Sequence, residues 1–322
     1  MAQNATAGAT GGHSYAFGLG YLLLCFNALG WGLNFPVLKL GLAFSPPMLF
    51  TCMRMALGTL AMFIIAAVLG VLRLPRRGDL PVLLSVGVLQ NMAFITLVTL
   101  GVQYLPAGRA AILAYTTPIW VVPAAALFLG ERFTLPRAIG VGLGLAGLLT
   151  VFNPLSIDWS NHDVFIGGGM IMLGTILWTA GLVHVRRHHW HGDVLSLIPW
   201  QLLTSVLALL PLALLLESPS QIDWEPSFVW MLVFSGAIAS GICVAAQVAA
   251  IRSLPAVSLS LSSASVPAVG MLAAVWFLHE IPTRSDLTGF ALIALGILVV
   301  ELADRRQALR NRTTAAKATP AS

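Results

Sequence analysis

Charge is scarce in this sequence. Of 322 residues, 17 are Lys or Arg and 12 are Asp or Glu, 9% together, against 58% hydrophobic residues and a mean hydropathy of +0.89. No water-soluble domain hides that much apolar surface, so the scarcity makes lipid the solvent. Cysteine is also rare. Cys25, Cys52 and Cys243 all fall in apolar stretches, where they serve as small packing residues and leave the redox compartment open. Carboxylates are missing from the middle of the first four and the sixth to ninth apolar stretches, which disfavours a proton-coupled carrier built on a membrane carboxylate. A basic, cleavable leader is missing as well: residues 1–14 are small, polar and uncharged apart from the amino end, so the first apolar stretch is expected to stay as an anchor.

What remains is a succession of membrane spans. A helix crossing a bilayer needs about 20 apolar residues, and ten such stretches are predicted: 15–38, 47–71, 80–101, 106–129, 136–152, 164–184, 194–216, 227–250, 255–278 and 286–303. The joins are too short for a separate soluble domain. Alternate joins differ in charge. Arg73, Arg76, Arg77, Arg132, Arg137, Arg186, Arg187 and Arg252 share a side with the basic tail after 304, whereas Asp158, Asp163, Glu217, Asp223 and Glu225 lie on the other. The positive-inside rule therefore places both termini in the cytoplasm, with 304–322 as a disordered basic tail. It also accounts for the pI of about 9.6 without nucleic acid as a partner.

The sequence repeats. Trp31, Lys39 and Arg54 fall on Trp178, Arg186 and Gln201 at a shift of 147, and from the third span onward the shift is 149: Pro106 on Pro255, Pro118 on Pro267, Glu131 on Glu280, Gly140 on Gly289, Gly147 on Gly296. The match rests on Pro, Trp, Glu and Gly, which an apolar background does not supply by chance. Residues 15–152 and 164–303 thus form two five-span units. Five is odd, so the second enters the membrane inverted relative to the first. The fold class is an all-α integral membrane protein of ten transmembrane helices, two inverted five-helix repeats around a central cavity.

Pro118 and Pro267 occupy matching places in "ILAYTTPIWVVPAAALFLGERFT" and "LSSASVPAVGMLAAVWFLHEIPT". A proline inside a helix removes one amide and clashes with the preceding turn, at about 3 kcal/mol. Lipid supplies no replacement, so both spans are expected to break and the breaks to line one pathway. Candidate substrate-binding residues cluster around them: Tyr115, Thr116 and Pro118 in the fourth span, Ser262, Ser265 and Pro267 in the ninth, with Trp31 and Asn34, Gln90 and Asn91, Trp178, and Gln247 on the first, third, sixth and eighth. Each has a plainer reading. Hydroxyls cap loosened carbonyls, amides tie helices together, and tryptophans mark the membrane interface. Arg54 lies about two turns into the second span and Lys39 ends the first on the same side. Both either snorkel to the interface or form an electropositive vestibule for carboxylates.

Other features carry less. Glu131 and Glu280, at span ends, cap helices or pair with Arg132, Arg137 or Arg284. "RRHHWHGD" (186–193), with His188, His189 and His191, lacks metal-ligand spacing and reads as a basic anchor loop, so neither metal nor cofactor is expected. Small residues on one face of the fifth span (Gly140, Gly147) and of the tenth (Gly289, Ala294, Gly296) permit close helix approach, either between the halves or in a homodimer.

"WGLNFPVLKLGL", the Arg of "CMRMALG", "LPAGRAAILAYTTPIWVVPAAALFLGERFTLPRAIGVGLGLAGLL" and its echo "LPAVSLSLSSASVPAVGMLAAVWFLHE" resemble the EamA branch of the drug/metabolite transporter superfamily, over residues 15 to 304. The resemblance implies a cavity formed by spans one, three, four, six, eight and nine, a bacterial inner-membrane location, and export of amino acids or related metabolites. The chain lacks the first-span carboxylate of the four-span multidrug relatives. The reading is a secondary transporter of small polar or amphipathic metabolites, amino acids first, working by alternating access, with a lipid translocator or a membrane-embedded enzyme as alternatives. Single cysteines introduced by Asp158→Cys and Trp190→Cys should label from outside and inside respectively; the reverse pattern in intact cells would overturn the topology.

Overall fold

The computed structural model describes residues 7–131, 133–152, 162–188, 190, 193–254 and 256–318, with side chains outside 7–18, 252–253, 256–264, 305 and 307–318. Arg132, Asp158, His189, His191 and Pro255 lie outside the described residues. Ten helical rods follow one another: α1 Ala7–Gly41, α2 Pro47–Val68, α3 Arg77–Tyr104, α4 Ala107–Leu129, α5 Leu135–Phe152, α6 Asp163–Arg187, α7 Val194–Leu216, α8 running 226–253, α9 Ala256–Leu278 and α10 Arg284–Ala318. Among the described residues, nine stretches are long and apolar enough to cross a membrane, and Ser265–Leu278 of α9 is a shorter apolar helix.

α1 begins inside the segment read as a polar tail, and α10 runs through residues read as disordered as far as Ala318. Ala308, Ala315, Ala316 and Ala318 favour the second extension, since alanine loses the least conformational freedom in a helix; the first contains Gly8, Gly11 and Gly12, and its composition does not explain it.

The packing pairs obey the repeat. α1 packs on α9 and α8, and correspondingly α6 packs on α4 and α3; α2 packs on α8 as α7 packs on α3; α5 with α10, α2 with α7 and α4 with α9 are self-paired. Lipid tails are as apolar as leucine, so these contacts rest on close approach and not on escape from water. Glycine supplies the approach between α5 and α10. A Cβ added at Gly147 would lie 2.6 Å from the Gly289 carbonyl oxygen, and one at Gly140 would lie 2.7 Å from that of Gly296. The small-residue faces therefore join the two halves of one molecule.

Departures from regular α-helix are also paired, but not where proline predicts. α3 widens into a π-helix at Val86–Phe94 and α8 does so at Phe234–Ile242. Each widened turn presses a glycine against the other half: a Cβ on Gly87 would meet the Gln201 carbonyl oxygen at 2.8 Å, and one on Gly236 the Arg54 carbonyl oxygen at 2.8 Å. α4 breaks as expected. Its first part, Ala107–Ala114, ends at Tyr115, and its second, Thr117–Leu129, restarts with Pro118 in the first turn. α9 does not break; it is helical through Pro267. The residues beside the two prolines differ as well. Thr117 donates its hydroxyl to the Ala114 carbonyl at 3.4 Å, while the matching place in α9 is Val266, which has no hydroxyl.

Both helices that end at the repeated Glu close with a left-handed residue, Gly130 (φ 68°) and His279 (φ 53°). Replacing Gly296 by Leu should lower the melting temperature of the detergent-purified protein by several degrees, since overpacking at such a seam costs about 1–3 kcal/mol or more. Gly142→Leu, with nothing within 4 Å of the added carbon, should leave it unchanged.

Candidate functional site

The break in α4 is closed by side chains. Thr116 is fully buried and donates to the Leu113 carbonyl at 2.7 Å, and the Thr116 carbonyl accepts from the Ile119 amide at 2.9 Å. Tyr115 leaves the helix half-buried, its ring edge-on to Phe35 of α1 at 6.4 Å between centroids. The hydroxyls thus take the capping role, while Tyr115 turns toward α1.

Four more candidate residues meet in two symmetric joints. Between α1 and α8, Trp31 Nε1 donates to the Ala239 carbonyl at 2.9 Å, and Asn27 donates to Gln247 at 2.5 Å. Between α6 and α3, Gln90 Nε2 donates to the Trp178 carbonyl at 3.1 Å, and Trp178 stacks edge-on against Phe94 at 4.9 Å. Trp31 and Trp178 are repeat mates, and Gln90 and Ala239 stand 149 apart, so the same two positions are tied in both halves with the donor reversed. Asn34 is buried on α1, and Asn91 is half-buried beside Gln90. Ser265 is half-buried and Pro267 buried on α9, where the Ser262 side chain lies outside the described residues. Gln90 lies inside the π-helical segment of α3, and Ala239 inside that of α8. Nothing in an apolar run containing glycine marks such a segment, so sequence reasoning missed it; π-turns recur at functional positions.

The membrane face opposite the termini is fastened by charged groups on main-chain ends. Lys39 Nζ donates to the carbonyls of Val102 (2.7 Å), Gln103 (3.3 Å) and Leu105 (2.8 Å), closing the end of α3. Glu217 accepts from the amides of Met48 and Leu49 at the start of α2, at 2.9 and 2.7 Å. Glu280 accepts from Ala107 and Gly108 at the start of α4, at 2.9 and 3.2 Å. Each carboxylate satisfies orphan amides and sits at the positive end of a helix dipole. Glu280 therefore caps α4, where the sequence reading allowed capping of the next helix or pairing with Arg284. Beside it, Arg109 of α4 grips Asp286 of α10 (Nε to Oδ1, 2.8 Å), and Asp286 also accepts from the Thr283 amide and hydroxyl at 2.9 and 2.7 Å. Thr283-x-x-Asp286 is a capping box, a signal present in the sequence and not used. These residues line a cavity of about 160 Å³ with Pro106 and Met271. A second cavity of about 280 Å³, lined by Arg73, Arg76, Asp79 and Asp193, lies on the face of the termini.

On that face Arg137 binds Asp304 at 2.6 Å and Glu131 at 3.1 Å, Glu131 also binds Arg186 at 3.1 Å, and Arg187 donates to the Phe128 carbonyl. His188 meets Asp79 at 2.9 Å. Among the described residues no group of His, Cys, Asp and Glu is arranged to hold a metal. Arg54 alone among these cations is deep in the bundle, buried on α2 and donating to Ser240 Oγ of α8 at 3.3 Å.

The EamA-like transporter family matches the sequence twice, over residues 18–153 and 165–302. The chain belongs to the EamA-like transporter family. Both matches coincide with the five-helix units, so the protein is a multi-pass membrane transporter and not an enzyme. It is 28% identical to the uncharacterized transporter YvbV of Bacillus subtilis (strain 168), over 89% of this chain and 92% of that one. It is 27% identical to a probable terminal-alkyne amino-acid exporter of Streptantibioticus cattleyicolor, over 90% and 94%. A crystal structure of a protein with 20% identity aligns over 91% of this chain and 99% of its own, with a TM-score of 0.64, so the fold is shared.

In this EamA-like transporter Glu280→Ala should destabilise the start of α4 by about 1–2 kcal/mol, the scale of a lost helix cap. Thermal unfolding in detergent checks it, with Glu280→Gln falling between Ala and wild type.

Proposed function

We propose that the protein is a secondary carrier that exports small polar or amphipathic metabolites, amino acids first among them, across the bacterial inner membrane by alternating access. Both termini are then cytoplasmic, and the Glu280, Lys39 and Arg109–Asp286 fastenings lie on the outer face. The observation that carries the reading is the pair of symmetric polar joints, Trp31 with Ala239 and Gln90 with Trp178, on either side of the broken α4. A relative named as a probable amino-acid exporter supports the choice of cargo.

In this reading Trp31, Asn34, Gln90, Asn91, Trp178 and Gln247 offer amide and aromatic contacts, and Tyr115, Thr116, Ser262 and Ser265 flank them near Pro118 and Pro267. A solute carrying both charges but no net charge suits such a lining. The π-turns and the break in α4 are the places where the rods bend as access changes sides. Disengaging Glu280 from α4 opens the outer face.

The carrier has no carboxylate deep in α1 to α4 or α6 to α9, so exchange does not need a proton relay. Counterflow of radiolabelled amino acids in proteoliposomes should persist at zero proton gradient, and strict dependence on the gradient would refute that mechanism. Tyr115→Trp should cut flux at least about tenfold without reducing membrane insertion, because a bulky ring beside the break obstructs the pathway; unchanged flux would move the pathway elsewhere.

A further inference from the structure

Several buried polar atoms among the described residues lack a hydrogen-bond partner, Asn27 Oδ1 on α1 and Trp120 Nε1 on α4 among them. Four others, Asn34 Oδ1 on α1, Arg54 Nε on α2, Thr96 Oγ1 on α3 and Ser235 Oγ on α8, share one depth on helices that pack together. Counted from the helix ends on the face opposite the termini, Asn34 is seven residues from Gly41, Arg54 seven from Pro47, Thr96 eight from Tyr104 and Ser235 nine from Pro226. At a rise of 1.5 Å per residue this is roughly 10 to 14 Å in each case. An unpaired buried polar atom is costly and native chains keep few of them, so several on one level of adjoining helices mark a place built for something else.

Arg54 is the charge in that group. It is 5% exposed, its one hydrogen bond is to Ser240, and no Asp or Glu among the described residues pairs with it. The other cations bound at helix ends are partnered: Lys39 by three carbonyls, Arg109 by Asp286, Arg137 by two carboxylates. Nor does the packing require a cation. In the other half the same joint, a helix pressed on the π-turn glycine of its neighbour, is made with Gln201 in place of Arg54. An amide fills the position structurally, so the guanidinium has a further role. Ser240, which it touches, follows Ala239, the residue bonded by Trp31, so the charge adjoins the proposed pathway.

We propose that Arg54, steadied by Ser240, binds the carboxylate of the transported solute, with the unpartnered hydroxyls of Ser235 and Thr96 completing an anion subsite. A planar guanidinium holds a carboxylate through two parallel bonds, a geometry that an ammonium lacks. The subsite rests on the carrier reading and narrows it to solutes with a free acid group.

The test uses the full-length protein in proteoliposomes and a panel of the common amino acids, each with its carboxamide and its decarboxylated amine. Wild type should exchange the acids and recognise the matched amides and amines at least about tenfold less well. Arg54→Gln, which installs the residue used by the other half, should raise KM for the acid about ten- to a hundredfold and bring it level with the amide, the scale of lost charge-assisted hydrogen bonds. Arg54→Lys should keep part of the preference. Equal recognition of acid and amide by wild type, or an unchanged KM in Arg54→Gln, overturns the subsite. Should Arg54→Gln fail to insert, Ser235→Ala serves: a raised KM for the acid with that of the amide unmoved supports the subsite, and an unchanged ratio overturns it. Flux of amines alone leaves the carrier reading standing and sinks the subsite. No flux of any member, with acids still raising the melting temperature in an Arg54-dependent way, does the reverse.

Discussion

In a membrane every main-chain amide and carbonyl must find its partner within the protein, because hydrocarbon offers none. The features of this molecule that are not plain helix answer that demand. Where α4 stops, Thr116 and Thr117 take up the loosened carbonyls. Where α3 ends, Lys39 collects three carbonyls with one ammonium, and where α2 and α4 start, Glu217 and Glu280 each take two amides. Even the π-turn of α8 follows the rule: Ser240 donates to the Ser235 carbonyl at 2.8 Å, across the widened turn. Lys39, Glu217 and Glu280 thus serve the backbone first. Arg54, whose head group contacts a side chain and no carbonyl, stands apart from them.

Much of the fold was legible because the composition allows little else. Hydropathy and the Pro, Trp, Glu and Gly matches located the helices and the repeat, and those residue types matter for backbone geometry and for interfaces, so they persist where leucines drift. The failure at Pro267 is instructive. Proline removes one donor without necessarily parting the helix, and α9, which carries Val266 where α4 carries Thr117, runs on through it. α1 and α7 likewise contain Pro36, Pro199 and Pro211 without stopping. Proline marks a weak point and does not by itself part a membrane helix.

The candidate site was legible in part. Trp31, Gln90, Trp178 and Gln247 were picked out as polar or aromatic residues within spans, and the structure ties them to one another's helices. The fastenings were not visible, because Lys39 reaches residues more than sixty positions away and Glu280 about 170. Such contacts depend on tertiary placement, and no local pattern encodes them. The π-turns were hidden as well: each sets a glycine against a neighbouring backbone, and the neighbour is unknown until the fold is.

The seam between α5 and α10 has a consequence for how such a protein arises and how it can be divided. Two backbones in contact through glycines at both ends of a shared line recognise each other by shape, independently of the connection after α5. A duplicated five-helix ancestor inserting in both orientations would already present that line to its inverted copy. Fusing the two genes then adds a tether to a partnership that geometry had already made, and two separately synthesised halves retain the means to reassemble.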